Sequence, residues 1–155
     1  LSKKDLNLKK QLSVLQRFEK LSKKYNLPLI IHTRKAEKEA FEFLESSSLK
    51  KIIIHCFTGN FKLVKKINDM NYFFSIPCTI NKSKHFQKLV EETNIDNLLT
   101  ESDAPFLSPY KTKENKPYFI VDTIKKISQI KKQNKKEIEE KIFSNYVKLF
   151  HQGNI

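Results

Sequence analysis

The feature that most constrains this chain is a short apolar run that returns four times, each time between helix-like stretches. The runs are "LPLIIH", ending on His32, "KIIIHC", passing through His55, "YFFSIPC" over 72–78 and "NLLT" over 97–100. Each is too short for a buried helix, and its consecutive residues are apolar, so both faces must be covered. Parallel strands sheathed by helices meet that requirement, and helical crossovers are their natural connection. Pro77 marks a strand end, because proline cannot donate to a sheet ladder.

The stretches between the runs carry helical periodicity. Over 6–26, Leu8, Leu12, Leu15, Phe18 and Leu21 recur at spacings of three and four, and Asn26 and Pro28 end the segment. Over 36–48 the apolar side is Ala36, Ala40, Phe43 and Leu44. Further helices are predicted over 61–71, 83–92, 118–131 and 136–150. The expectation is an α/β fold, with parallel strands and helical crossovers, in a single domain over 1–155.

Composition bounds the function less tightly. The 155 residues carry a formal net charge of +13, almost all of it from lysine, with Arg17 and Arg34 the only arginines. A basic excess favours a polyanionic partner; an AT-rich coding genome produces the same lysine excess without one. The segment "KKISQIKKQNKK" (125–136) reads first as a solvated helix face and its following turn, over a stripe of Ile124, Ile127 and Ile130, and second as a track for a nucleic-acid backbone. Two cysteines, Cys56 and Cys78, make no disulfide framework and read as small buried thiols of a reducing compartment. No apolar run is long enough to span a membrane, and an intracellular place is expected, cytoplasmic or nuclear. The chain opens on Leu1 rather than Met, so residues upstream are expected to exist.

Three residues give the runs chemical interest. His32, His55 and Asp103 fall at the carboxyl ends of three strands. In α/β barrels that rim gathers side chains from separate strands at one mouth. Two imidazoles and a carboxylate suit a divalent ion, which lowers the pKa of bound water. Plainer roles exist for each: a hydrogen-bonded histidine, or an aspartate opening the turn before Ala104 and Pro105. His85 and His151 are given no role.

The motifs around these residues resemble those of the TatD-related metal-dependent deoxyribonucleases. "LPLIIHTRKA" (27–36), "IIIHCFTGN" (52–60), "LLTESDAPFLSP" (98–109), "NKP" (115–117) and "NYVKLF" (145–150) follow the family's order, with Ser102 where Thr is usual. The resemblance implies a TIM barrel whose divalent metals (Zn, Mg or Mn, usually two) hydrolyse DNA phosphodiesters. It implies that His32, His55 and Asp103 are metal ligands and that Asp103 also orients or deprotonates the attacking water. Arg34 is then a candidate phosphate contact, or else an ion-pair partner of Glu37 or Glu39. Glu101 is read as supporting its loop, and Thr58 and Gly59 as shaping the turn after His55.

The departures matter as much. The family's opening strand with His-x-His and its later Glu-bearing strand have no counterpart here. A complete barrel needs about 250 residues, so the chain is expected to be the carboxyl-terminal portion, about four β/α units, with an incomplete metal site. Its expected partners are DNA and either the amino-terminal half or a second chain covering the open barrel edges. The alternatives are a catalytically inactive homologue that binds nucleic acid or assembles with another chain, and a barrel hydrolase with another substrate.

Overall fold

The computed structural model describes residues 1–2, 7–111 and 114–151. Ten main elements alternate along them: α1 (Leu8–Tyr25), β1 (Leu29–His32), α2 (Glu37–Ser46), β2 (Ile52–His55), α3 (Phe61–Asp69), β3 (Phe73–Ile76), α4 (Lys84–Glu92), β4 (Leu98–Thr100), α5 (Ile120–Lys131) and α6 (Lys135–Phe150). The strands form one sheet in sequence order, every pair parallel. The α/β expectation holds. His32 stands opposite His55, and His55 opposite Ser75.

Local chemistry fixes the element ends. The side chains of Asn7, Asn60 and Ser83 cap the first turns of α1, α3 and α4, and Asn134 with Glu137 forms a capping box on α6. Asn26 takes the left-handed conformation that closes α1. β3 stops at Ile76, before Pro77, and Cys78 lies in a 3-10 turn rather than in the strand. Asn97 likewise belongs to a turn, because the Asn94 side chain accepts from the Asp96 N–H there and delays β4 to Leu98. The Lys131 ammonium reaches across to the carbonyls of Thr93 (2.5 Å) and Glu91 (3.2 Å), satisfying the end of α4.

The two sheet faces differ in how they are covered. Alternate residues, including Ile31, Ile52, Ile54, Phe74, Ile76 and Leu98, pack into the main core with Phe41, Leu44, Val64, Leu89, Ile127 and Ile138 of the helices. On the opposite face Ile53, Phe73 and Leu99 form a small apolar cluster with Leu149 and Phe150 of α6, and Ile30 is 57% exposed.

Two helix stripes are covered unevenly. In α2 the buried aromatic is Phe41, with Phe43 only partly covered, because the buried face turns through Ala40, Phe41 and Leu44. In α1 the stripe exists but is not buried: Leu8, Leu12 and Leu15 are half-covered, Phe18 is 54% exposed and Leu21 is exposed too. In α5 the stripe behaves as expected, with Ile127 fully buried and Ile124 and Ile130 partly so.

Candidate metal centre

Strand periodicity builds the site. Side chains two apart share a face, so the sparsely covered face that carries Ile30, Ile53, Phe73 and Leu99 continues upward to His32, His55, Ser75 and Glu101. Four neighbouring strand ends thus deliver four polar groups to one mouth. Below them lies a cavity of about 560 Å³, lined by sheet residues such as Ile30, Ile53 and Leu99 and by Ile142, Phe143 and Tyr146 of α6.

His55 is the hub. Its Nδ1 is hydrogen-bonded to Glu101 Oε2, and the Ser75 hydroxyl donates to that same oxygen. Its Nε2 lies 3.4 Å from Asp103 Oδ1. The His32 ring stands beside it, with centroids 5.3 Å apart. The hydrogen bond to Glu101 raises the pKa of His55 against the opposing effect of burial, and the charges of Glu101 and Asp103 add to it. His32 moves the other way: partial burial of its ring, then the neighbouring His55, lowers its pKa, with Asp103 opposing.

The backbone around the mouth is held in an uncommon state. Lys35, Cys56, Asp103 and Leu107 all have φ between 46° and 60°, the left-handed region. For residues other than glycine, Asn or Asp that region is disfavoured, and such conformations gather at functional sites. Asn115 fixes the loop after β4: it is 2% exposed, and its amide donates to the carbonyls of Ser102 and Phe106. Gly59 admits the Phe57 ring, since a Cβ there would lie 2.4 Å from Phe57 Cζ.

The other candidates separate from this cluster. Arg34 is exposed and, among the described residues, forms no ion pair; Glu37 instead accepts from the Lys35 backbone N–H at 2.9 Å. Thr33 is buried on the helix side, near Ala40 and Phe41. Cys56 and Cys78 are free, and burial pushes the Cys56 thiol up to about 12, so it stays protonated and is a poor ligand. His85 is bonded to the Phe57 carbonyl at 3.0 Å and lies between Phe61 and Phe86.

Glu101 does more than its sequence reading assigned it. Beyond bracing its own loop, its carboxylate is hydrogen-bonded to the His55 ring. Counting by two from Leu99 and from Phe73 puts Glu101 and Ser75 on the histidine face, a signal present in the sequence.

The donors can be tested for fit to a cation. Two ligands bound to one tetrahedral Zn²⁺ at about 2.0–2.1 Å lie roughly 3.4 Å apart, which is the His55 to Asp103 separation. His55 Nε2 and Asp103 Oδ1, facing each other at this distance, leave a place for one cation between them. Glu101 Oε1 is also buried without a hydrogen-bond partner among the described residues. Across the described residues, no group of three His, Cys, Asp or Glu side chains forms a ready-made ligand cluster. The His55–Asp103 pair is therefore in register, and His32 stands beside it without closing the set.

Four parallel strands in sequence order, sheathed by helices and carrying polar residues at their carboxyl ends, have the arrangement of part of an α/β barrel. The sequence matches the family described as TatD related DNase over residues 1–151, and the chain belongs to that family. It is 33% identical over 147 residues to an uncharacterized metal-dependent hydrolase of Methanocaldococcus jannaschii, covering 95% of this chain and 58% of that protein. It is 34% identical over 140 residues to the human deoxyribonuclease TATDN3, covering 90% of this chain and 51% of that one. The fold superimposes on the TatD homologue YJJV of Escherichia coli K12 with a TM-score of 0.81 at 20% identity, over 95% of this chain and 59% of that one. A TatD family hydrolase of Entamoeba histolytica gives 0.80 at 19% identity, over 92% and 57%. The chain thus spans little more than half the length of these relatives. No helix among the described residues is long and apolar enough to cross a membrane.

Proposed function

We propose that His32, His55 and Asp103 are the ligands this chain contributes to the divalent-metal centre of a hydrolase that cleaves DNA phosphodiester bonds. The observation that carries the reading is the 3.4 Å approach of His55 Nε2 to Asp103 Oδ1, with the other ring nitrogen tied to Glu101. Family membership and the human relative named a deoxyribonuclease support DNA as the substrate.

A cation held there supplies a Lewis acid for a phosphoryl oxygen and lowers the pKa of a coordinated water. This chain's residues bind and orient around it. His55 offers Nε2, fixed by Glu101. Asp103 offers one carboxylate oxygen to the cation and can take a proton from water on the other. Arg34, exposed just past β1, presents a planar fork of donors suited to a phosphate. The donors of this chain hold one ion, so we expect slow or negligible DNA cleavage by the isolated chain. The partners proposed to complete the mouth are a further barrel segment or a second chain along the open edges.

Metal content tests the reading. The purified chain, equilibrated with Zn²⁺ or Mn²⁺ and desalted, is expected to retain about one ion, and His55→Ala and Asp103→Asn to lose it. Equal retention by the two variants and the parent chain would overturn the assignment.

A further inference from the structure

The polar belt beneath the proposed ligands points to a specific division of labour. Ser75 is the next-to-last residue of β3, Glu101 follows β4 and His55 ends β2, so three adjacent strands meet through one carboxylate oxygen. Ser75 is 6% exposed, and the Glu101 side chain 12%. The Glu101 backbone is pinned as well, its N–H donating to the Ile76 carbonyl at 3.0 Å and its carbonyl accepting from Cys78 Sγ at 3.7 Å.

A buried carboxylate oxygen left without a hydrogen-bond partner is costly, so a purely structural carboxylate should have both oxygens satisfied. Here one oxygen has two hydrogen-bond partners, His55 Nδ1 and the Ser75 hydroxyl, and the other has none among the described residues. That asymmetry suits a group whose work is done on the shared oxygen. An imidazole has two nitrogens and can present either one. A carboxylate at Nδ1 selects the tautomer that carries its proton there, leaves the Nε2 lone pair outward and stops the ring from turning over.

We propose that Glu101, braced by the Ser75 hydroxyl, is a positioning residue that holds His55 as the Nδ1-protonated tautomer with Nε2 directed at Asp103. The proposal rests on the metal-centre reading for its purpose, but the tautomer itself can be observed without metal.

Two measurements on the full 155-residue chain test it. Ring ¹⁵N shifts of metal-free His55, at a pH where the ring is neutral, are expected to report the Nδ1–H form in the parent chain and a mixture in Glu101→Gln. Zn²⁺ affinity, measured by competition with a chromophoric chelator, is expected to fall roughly 10–100-fold in Glu101→Gln, less in Ser75→Ala, and to be partly restored in Glu101→Asp. Urea midpoints of the same variants separate positioning from unfolding. If Glu101→Gln keeps the tautomer and the affinity, or loses affinity only in step with its urea midpoint, the positioning role is wrong. If His55→Ala binds Zn²⁺ as the parent does, the metal-centre reading fails while the tautomer result still decides the role of Glu101.

Discussion

The two faces of the sheet are built to different degrees of completion. The helix-side face is closed by the chain's own helices, with Ile52, Phe74 and Ile76 entirely buried. The mouth-side face has three buried apolar residues from the sheet, one helix end over them, and Ile30 largely in water. The contrast teaches where each property resides. Folding energy comes from the face the helices cover, because burial scales with area removed from water. The chemistry sits on the face left open, where four strand ends bring together groups that a closed core would exclude.

Mutations can break or sharpen that contrast. Phe74→Ala, on the closed face, should cost about 3–5 kcal/mol and leave little folded chain in urea titrations. A cost below 1 kcal/mol would erase the distinction between the faces. Gly59→Ala drives a Cβ into the buried Phe57 ring, which is packed on Phe74 at 5.6 Å, and is expected to cost about 1–3 kcal/mol by the same assay. Asn145 donates at 2.8 Å to both the Ile95 and Leu98 carbonyls, tying α6 to the start of β4. Removing it as Asn145→Ala should cost about 1–3 kcal/mol and expose α6 amides to hydrogen exchange before those of α3. Ile30→Ser, on the open face, should change the urea midpoint by no more than the equivalent of about 0.5 kcal/mol. A loss of several kcal/mol there would mean that the mouth-side face is covered in solution.

Much of this arrangement could be read from residue order. The four apolar runs specified a covered parallel sheet, because only that environment tolerates "IIIH" or "YFFSI" at strand length. The ends of those runs placed His32, His55 and Asp103 on one rim. Other parts depended on tertiary partners. The α1 stripe is real in periodicity, yet Phe18 and Leu21 stay about half exposed, and periodicity names a face without naming what packs on it. Phe41 displaced Phe43 because the two differ by two positions on a helix, a rotation that only the sheet beneath can decide. Asn115 and Asn145 stood out in motifs next to the chemistry, but their amides hold backbone carbonyls. Such a role appears only once the chain has folded back on itself.

The left-handed backbone of Asp103 has a consequence for protein engineering. Alanine at that position removes the carboxylate but keeps an unfavourable φ near 60°, so its effects on fold and site would be entangled. Asparagine tolerates the conformation, and glycine adopts it freely. A glycine replacement should therefore firm up the turn while silencing whatever the carboxylate does, so that thermal robustness and function move in opposite directions at a single codon.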